Sequence, residues 1–307
     1  AGTLPGSRVP VWLVDCPELY DRSGNPYLGP DGKPWPDNAG RYTFFAEAVV
    51  QVANNQLGLD WQPDVVHCND WQTGLIPALL SLQAQRPATV FTIHNLAYQG
   101  TFPYQTFLDL GLSPDFWHLN ALEYHGQLSF IKGGLVFADR INTVSPSYAR
   151  EIQTPEFGSG LDGLLRHRQA ALSGILNGID LKEWNPGTDS FLAETYNRRS
   201  LANKAVNKSA LQQNLGLQPD ANTLLIGFVG RLVEQKGVDI LLDGMKKILS
   251  LPVQLAMLGS GEAQFETAIL EVAKQHAGRV AVKIGYSESL AHQIEAGSDV
   301  FLMPSRF

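Results

Sequence analysis

Eight residues, Gly230-Arg-Leu-Val-Glu-Gln-Lys236-Gly237, combine a glycine-bounded turn with two side chains that bind anions. They follow an apolar run, Leu224–Val229, that predicts a buried strand, and they precede an amphipathic helix that begins near Val238. Doubly wound α/β sheets bind ligands at the carboxyl ends of their strands. Helix N-termini at that edge also favour negative charge. The turn is therefore predicted to hold a phosphate or a diphosphate.

Arg231 and Lys236 are the side chains that would carry this chemistry. A guanidinium offers a planar fork of donors to phosphate oxygens, and an ammonium offers a compact point charge. When a sugar–diphosphate bond breaks, negative charge develops on the departing oxygen, and preorganised cations stabilise it. The alternative interpretation is a solvated turn with two ordinary surface cations. No metal-ligand spacing is recognised in the sequence, which favours cations rather than Mg²⁺ in this role.

A parallel α/β domain is needed to position this turn, and the second half of the sequence predicts one. Short apolar runs alternate there with helical patterns, as in βαβ units. The predicted strands are Leu224–Val229, Val253–Leu258, Val280–Ile284 and Val300–Met303. The predicted helices lie near Val238–Leu249, Glu262–His276 and Glu288–Ala296.

The first half predicts a second domain of the same kind. Its strands are expected at Val9–Val14, Val65–Cys68, Thr89–Ile93 and Ile141–Val144, and its helices at Thr43–Gln56, at Leu75–Ala84 and after the Ser145-Pro146 start signal. The segment Tyr20–Asn38, rich in Gly, Pro, Asp and Asn, predicts a long loop. Turn residues in Ser173–Pro186 indicate the boundary, so the predicted domains are residues 1–172 and 173–307.

Composition narrows the class of protein. The 307 residues are enough for two domains, and 44% apolar with 17% charged residues is typical of a globular protein. A net charge of −7 disfavours a nucleic-acid surface, and no apolar run reaches the ~18 residues of a membrane span. Cys16 and Cys68, both in apolar strand-like segments, are expected to be buried, reduced thiols of a cytoplasmic protein.

The ends of the sequence suggest an internal piece of a longer protein. The chain starts at Ala1 and stops at Phe307, just after the strand-like run Val300–Met303. A strand that enters a turn is a poor place for a domain to end. Both domains are therefore expected to be incomplete.

Four motifs, taken together and in this order, resemble the bacterial glycogen synthase and plant starch synthase family. They are Asp64-Val-Val-His-Cys-Asn-Asp-Trp-Gln72, Thr92-Ile-His-Asn-Leu-Ala-Tyr-Gln-Gly100, Asn177-Gly-Ile-Asp180 with Trp184-Asn-Pro186, and Gly230–Gly237. The resemblance covers essentially the whole chain. It implies a GT-B fold, in which two Rossmann-like domains face a central cleft. It also implies transfer of glucose from ADP-glucose to the non-reducing end of an α-1,4-glucan, with retention at the anomeric carbon.

The resemblance also implies roles for single residues. His94 would contact the transferring glucose and, with Arg231 and Lys236, would be catalytic. The remaining donor-binding residues would be Asn177, Gly259, Gly261 and Tyr286, and the sugar-side residues Asp70, Trp71 and Asn95. Several have plainer interpretations: Asp70 as the cap of a helix near Thr73, Asn177-Gly178 as a simple turn, Tyr286 as a rim residue. His67 is expected to be structural.

Other functions remain open at this stage. A related GT-B transferase could use UDP-glucose or another acceptor, and a PLP-dependent phosphorylase shares the fold class but would need a cofactor lysine that is not identified. A protein derived from a synthase could also bind glucan without catalysis. The family's Lys-x-Gly-Gly-Leu loop and Glu-Pro-x-Gly glutamate are absent, so the chain alone is predicted to be inactive. No metal, cofactor, nucleic-acid or membrane partner is expected, and a plant source would imply a plastid location.

Overall fold

The computed structural model describes residues 1–30, 32–59 and 61–306, and it divides the chain into two compact units, Ala1–Asn177 and Gly178–Phe307. The predicted boundary, between residues 172 and 173, lies inside a strand of the first unit that ends at Gly174. Phe307, the last residue of the predicted second domain, lies outside the described residues.

The first unit alternates short strands and helices along most of its length. Its helices are α1 (Pro17–Tyr20), α2 (Asn38–Ala53), α3 (Leu75–Ser81), α4 (Tyr104–Asp109), α5 (Phe130–Phe137), α6 (Pro146–Glu151) and α7 (Asp162–His167). Its strands are β1 (Gly2–Thr3), β2 (Pro10–Val11), β3 (Val65–Asn69), β4 (Ala88–Ile93), β5 (Thr101–Pro103), β6 (Glu123–Tyr124), β7 (Gln127–Ser129), β8 (Arg140–Thr143) and β9 (Leu172–Gly174).

A parallel sheet of order β3-β4-β8-β9 forms the centre of this unit. Phe91 and Ile141, neighbours on β4 and β8, are fully buried in its core. A Cβ on Gly134 would lie 2.3 Å from the Phe91 ring, so α5 packs very closely on the sheet at this point. The predicted strands of β3, β4 and β8 are confirmed.

Other parts of the first unit differ from the prediction. Only Pro10–Val11 of the predicted strand Val9–Val14 is a strand, and it pairs with β1 in an antiparallel ribbon rather than joining the parallel sheet. The antiparallel sheet β5-β7-β6 was not predicted. The start signal at Ser145 is confirmed, because its side chain accepts a hydrogen bond from the Tyr148 N–H at 2.8 Å.

The second unit is a three-layer α/β structure. Its helices are α8 (Lys204–Asn214), α9 (Val238–Leu249), α10 (Ala263–Gln275) and α11 (Glu288–Gly297), and its strands are β10 (Leu224–Val229), β11 (Val253–Gly259), β12 (Val280–Ile284) and β13 (Val300–Phe301). The sheet is parallel, with the order β12-β11-β10-β13.

Both faces of this second sheet are covered. Strand β11 is buried along its whole length, and its side chains alternate between two apolar clusters. Leu255 and Met257 pack with residues of α9 and α10, whereas Ala256 and Leu258 pack with residues of α8 and α11. This double burial explains why the predicted strands are mostly apolar rather than alternating, with few polar residues such as Gln254. Among the helices of the described residues, none is both long enough and apolar enough to cross a membrane.

Candidate functional site

The carboxyl edge of the first sheet brings two predicted site residues together. Asp70 directly follows β3 and His94 directly follows β4, and the strands are level here because Asn69 is paired with Thr92. The Asp70 carboxylate accepts a hydrogen bond from the His94 N–H at 2.8 Å, and the Asp70 N–H donates to the Thr92 carbonyl at 2.9 Å. Asp70 therefore fastens the two strand ends to each other.

The backbone of Asp70 is unusual for a residue with a side chain. Its φ is 56° and its ψ is 179°, a region where such residues are rare and strained. The predicted capping role is wrong, because the short 3₁₀ turn Trp71–Thr73 receives no hydrogen bond from the Asp70 side chain. Instead, this backbone conformation points the carboxylate toward the loop that carries His94. Strain of this kind is commonly stored at functional sites.

The His94 ring is exposed, and its Nε2 lies 3.0 Å from Oδ1 of Asn69. Because an amide oxygen can only accept, this contact requires a proton on Nε2 and leaves Nδ1 free to act as an acceptor when the ring is neutral. Asn69 was not among the predicted site residues. Its position at the last residue of a strand, beside Asp70, was the signal that could have identified it.

The other predicted sugar-side residues have local structural roles in this unit. Trp71 packs against Tyr42, Phe102 and Phe130 with ring centroids 4.9 to 6.2 Å apart. Asn95 accepts a hydrogen bond from the Ala97 N–H at 3.0 Å and so shapes its own turn. Stacking of a sugar on Trp71 and a sugar contact for Asn95 stay predictions.

His94 and Asp70 open into a surface cavity of about 510 Å³ in the first unit. Its other lining residues are Pro26, Tyr27, Tyr42, Asn69 and Gln72. The predicted long loop therefore contributes Pro26 and Tyr27 to the same cavity as the two motif residues. Its volume lies within the usual range for small-molecule sites, and aromatic rings beside polar groups are typical of them.

In the second unit, the turn after β10 runs beside the turn after β11. The Leu232 N–H donates to the Ser260 carbonyl, and the Glu262 N–H donates to the Leu232 carbonyl, both at 2.9 Å. A Cβ on Gly259 would lie 1.9 Å from the Gly230 oxygen, and one on Gly261 would lie 2.2 Å from the Leu232 oxygen. These glycines therefore let two protein turns approach each other, and their contact with a donor stays a prediction.

Arg231 and Lys236 occupy this turn as predicted from the sequence, but in different surroundings. Arg231 is exposed, and one of its nitrogens donates to the Gln235 side chain at 3.2 Å. Lys236 is half-buried and ends the 3₁₀ turn Glu234–Lys236, immediately before Gly237. Both side chains remain candidates for binding an anion at the carboxyl edge of the sheet.

The turn Gly230–Gly237 is also held by Arg306, a contact that the sequence did not predict. The Arg306 N–H donates to the Gln235 carbonyl at 3.0 Å, and its guanidinium donates to the Glu234 carbonyl at 2.8 Å. The same guanidinium forms an ion pair with Asp239 at 2.5 Å. Arg306 thus ties the turn to the start of α9 and positions it without being a predicted ligand-binding residue.

Tyr286 lies at the same edge of the second sheet, after β12. Its side chain is 84% exposed, and its hydroxyl donates a hydrogen bond to Glu288. The preceding Gly285 N–H donates to the Gly259 carbonyl at 2.9 Å. The turns after β10, β11 and β12 therefore adjoin one another, so the predicted donor residues of this unit share one edge. Stacking of adenine on Tyr286 stays a prediction.

Asn177, also a predicted donor-binding residue, does not belong to the second unit that contains the others. It is the last residue of the first unit and is exposed, whereas the prediction assigned it to the second domain. Strand β9 pairs with β8 in the first sheet, so the chain leaves the first unit only after Gly174. A contact between Asn177 and a donor phosphate stays a prediction.

The two cysteines differ in their environments. Cys68 is buried in β3, and burial raises the pKa of its thiol to about 12. Cys16 is only half-buried and lies at the start of α1, so its predicted burial and its predicted strand-like setting are both wrong. Both thiols are free. Neither lines the cavity beside His94.

Comparison with known proteins defines the class of protein. Residues 2–167 match the family model described as "Starch synthase catalytic domain", and residues 223–307 match "Glycosyl transferases group 1". With its two parallel-sheet units, the chain has the GT-B type of α/β glycosyltransferase fold. The first match covers more than half of the chain, so the chain belongs to the starch synthase catalytic domain family.

Individual relatives support this assignment. The chain is 63% identical over 304 residues to the glycogen synthase of Cellvibrio japonicus, covering 99% of this chain and 63% of that protein. It is 61% identical over 304 residues to glycogen synthase 1 of Methylococcus capsulatus, covering 99% of this chain and 62% of that protein. The chain therefore spans less than two thirds of the length of these relatives.

A solved structure shows the same architecture. The catalytic domain of starch synthase IV from Arabidopsis thaliana, bound to ADP and acarbose, superposes with a TM-score of 0.81 at 33% identity. The match covers 89% of this chain and 57% of that one.

Proposed function

We propose that the protein transfers glucose from ADP-glucose to the non-reducing end of an α-1,4-glucan, with retention at the anomeric carbon. The observation that carries this proposal is the 63% identity, over 99% of the chain, to a protein named glycogen synthase. The related Arabidopsis enzyme was solved with ADP and acarbose, which are a nucleoside diphosphate and an oligosaccharide analogue. These are the two ligand classes that the proposed reaction requires.

The second unit supplies the donor side of the proposed reaction. The bond between glucose C1 and the β-phosphate oxygen breaks, and the electron pair stays on the phosphate. Arg231 and Lys236 stabilise the resulting charge, Arg231 through its fork of donors and Lys236 as a point charge. The Arg306–Asp239 ion pair, by fixing the turn, keeps these cations preorganised.

The first unit supplies the sugar side of the proposed reaction. His94 contacts the transferring glucose, and Asn69 fixes the orientation of its ring through the 3.0 Å contact. Asp70 holds the His94 backbone in place through its 2.8 Å hydrogen bond. The acceptor hydroxyl oxygen forms the new bond to C1, and its proton passes to the departing ADP oxygen or to water. The glucan occupies the cavity lined by Tyr27 and Tyr42.

The proposal includes the cellular setting. No metal or cofactor takes part in the transfer, because the two cations neutralise the diphosphate. A cytoplasmic location is supported by the two free thiols, which persist in reducing compartments. The net charge of −7 supports substrates other than nucleic acid.

The proposal is tested by measuring ADP release from ADP-glucose in the presence of glycogen, using the full gene product. R231A and K236A are each expected to lower kcat/KM by about 10²–10³, the loss typical for removal of one group that stabilises developing charge. Lys246→Ala, an exposed cation in the last turn of α9, is the matched control and should change little. Wild-type kcat/KM in R231A and K236A would contradict the proposal.

A second measurement separates the enzyme from a non-catalytic glucan-binding protein. Binding of a maltooligosaccharide without turnover of any nucleotide sugar would favour the binding protein. Turnover with ADP-glucose supports the enzyme.

A further inference from the structure

His292, in the middle of α11, is a buried histidine that the proposed transfer reaction does not use. It is 3% exposed. The Trp184 ring stacks on its face with centroids 3.9 Å apart and an interplanar angle of 15°, and Phe191 packs edge-on at 5.1 Å. Its Nδ1 lies 2.6 Å from Oδ2 of Asp189. The imidazole is therefore held in one orientation by two rings and a carboxylate.

The other ring nitrogen of His292 lacks such a contact. Within the part of the chain that the structure describes, Nε2 is buried and has no hydrogen-bond partner. The Glu288 Oε1 lies 3.5 Å away, well beyond the ~2.7–2.9 Å of a charge-assisted hydrogen bond. A proton on Nδ1, shared with Asp189, leaves a lone pair on Nε2. A carboxylate behind one nitrogen and a free lone pair on the other is the usual arrangement of a metal-binding histidine.

Two carboxylates complete a ligand set around this nitrogen. A carboxylate oxygen of Glu183, a carboxylate oxygen of Glu288 and a ring nitrogen of His292 all lie within 4.8 Å of one another. Bonds of 2.0–2.1 Å in a tetrahedron put neighbouring ligand atoms roughly 3.3 Å apart, close to the observed 3.5 Å between Nε2 and Oε1. The Tyr286 hydroxyl binds the other oxygen of Glu288 and so directs Oε1 toward the histidine.

We propose that Glu183, Glu288 and His292 bind a divalent transition-metal ion of the Zn²⁺ class, with water in the fourth position. An imidazole nitrogen favours Zn²⁺ over the hard cations Mg²⁺ and Ca²⁺, which take oxygen ligands. The site is structural: it joins the exposed turn that carries Glu183 to α11. None of its three ligands belongs to the predicted transfer machinery, although Tyr286, a predicted donor-binding residue, contacts Glu288. The proposal does not rest on the proposed function, because it is tested by metal binding alone.

The spacing that points to this site was not recognised in the sequence. Glu288 and His292 are four residues apart on α11, so their side chains share one helix face. Glu183 lies on a distant segment, and only the fold brings it to them.

The test is a Zn²⁺ titration of the metal-free full gene product, with any histidine tag removed, in competition with a chelating dye. Wild-type protein should bind one Zn²⁺ tightly per chain. E183Q should weaken that binding at least tenfold without affecting the fold, because Glu183 is exposed. E288Q should also weaken the binding at least tenfold. E271Q removes an exposed carboxylate of α10 and is the matched control, with unchanged Zn²⁺ affinity.

A second measurement reads the coordination directly. Co²⁺ in place of Zn²⁺ should give the intense visible bands of a tetrahedral site in wild type and E271Q, and these bands should be lost in E183Q. Less than one tight Zn²⁺ per chain, or an E183Q affinity equal to that of E271Q, would overturn the proposal. His292 would then be an ion-pair partner of Asp189 and Glu288. Burial lowers the pKa of His292, but these two carboxylates raise it more, so the pKa lies above its ordinary value.

Discussion

Gly237→Ala should destabilise the second unit and loosen the turn Gly230–Gly237. Gly237 has φ +69°, and a Cβ there would lie 2.1 Å from the Pro304 oxygen and 2.8 Å from the Pro304 carbonyl carbon. Ordinary contacts begin at 3.4 Å, so Pro304 would have to move by more than an ångström. The atoms in the way are backbone atoms and cannot rotate aside.

Two contributions set the size of this effect. Left-handed backbone geometry costs a residue with a Cβ about 1–2 kcal/mol. Movement of Pro304 disturbs the neighbouring Arg306 hydrogen bonds to Gln235 and Glu234, each contributing about 0.5–1.5 kcal/mol. The expected loss in the free energy of unfolding is therefore about 2–5 kcal/mol.

Gly244→Ala is the matched control, because it also replaces a glycine by alanine and lies in the helix that follows Gly237. Gly244 lies inside α9, and the nearest atom to an added Cβ, Ile248 Cδ1, is 3.9 Å away. Alanine in a helix interior is favoured over glycine by about 0.5–1 kcal/mol, so this variant should be more stable than wild type. The two substitutions are thus expected to have opposite signs.

Hydrogen exchange of α9 peptides under increasing urea measures both effects in the unit concerned. ADP binding by the full gene product provides the functional readout, with weaker binding expected for G237A and unchanged binding for G244A. A G237A variant as stable as wild type would refute the argument from the Pro304 contact. Equal destabilisation by both substitutions would refute it as well.

Three further outcomes follow from individual contacts. Arg231→Ala should weaken ADP binding at least tenfold in an equilibrium titration. Its melting temperature should stay unchanged, because Arg231 is exposed. A lowered melting temperature with unchanged ADP affinity would contradict a binding role. Asp70→Ala removes the acceptor of the His94 N–H and should lower the free energy of unfolding in urea by about 1–3 kcal/mol. Asp70→Asn keeps an acceptor and tolerates positive φ, so it should lower this free energy less. Equal losses in the two variants would contradict this reasoning. The hydrogen bonds from Arg86 hold the pKa of Asp139 well below its usual range, with hydrogen bonds from Thr89 acting in the same direction. Their stabilisation is therefore present above the unfolded carboxyl pKa of about 3.9 and is lost as the pH falls toward the folded value. Wild type should exceed D139N by about 1–2 kcal/mol at pH 7, with the gap closing in acid, and a gap independent of pH would contradict the pairing.

The sequence predicts the second unit more accurately than the first, for a physical reason. Strands β10 and β12 have the predicted bounds, because each is a mostly apolar run that stands out from the more polar segments on either side of it. Val9–Val14 has the same composition, but only Pro10–Val11 forms a strand, and its partner is β1. An apolar run shows strand propensity and does not identify the strand with which it pairs.

The candidate site was predicted from the sequence wherever one short segment carries the relevant residues. Asp70 and His94 each follow a predicted strand, and parallel pairing of β3 with β4 places them side by side. Contacts between distant segments could not be predicted in this way. Asp189 and His292 are 103 residues apart, and no local pattern relates them. Arg306 likewise reaches the turn Gly230–Gly237 only because the fold brings the two segments together.

Transfer of labelled glucose tests the central claim most directly. The full gene product is incubated with glycogen and either ADP-[¹⁴C]glucose or UDP-[¹⁴C]glucose, and the polymer is digested with an enzyme that removes α-1,4-linked units from non-reducing ends. The proposed function predicts faster incorporation from ADP-glucose and complete release of the label by that digestion. Faster incorporation from UDP-glucose, or hydrolysis of ADP-glucose without labelled polymer, would contradict it.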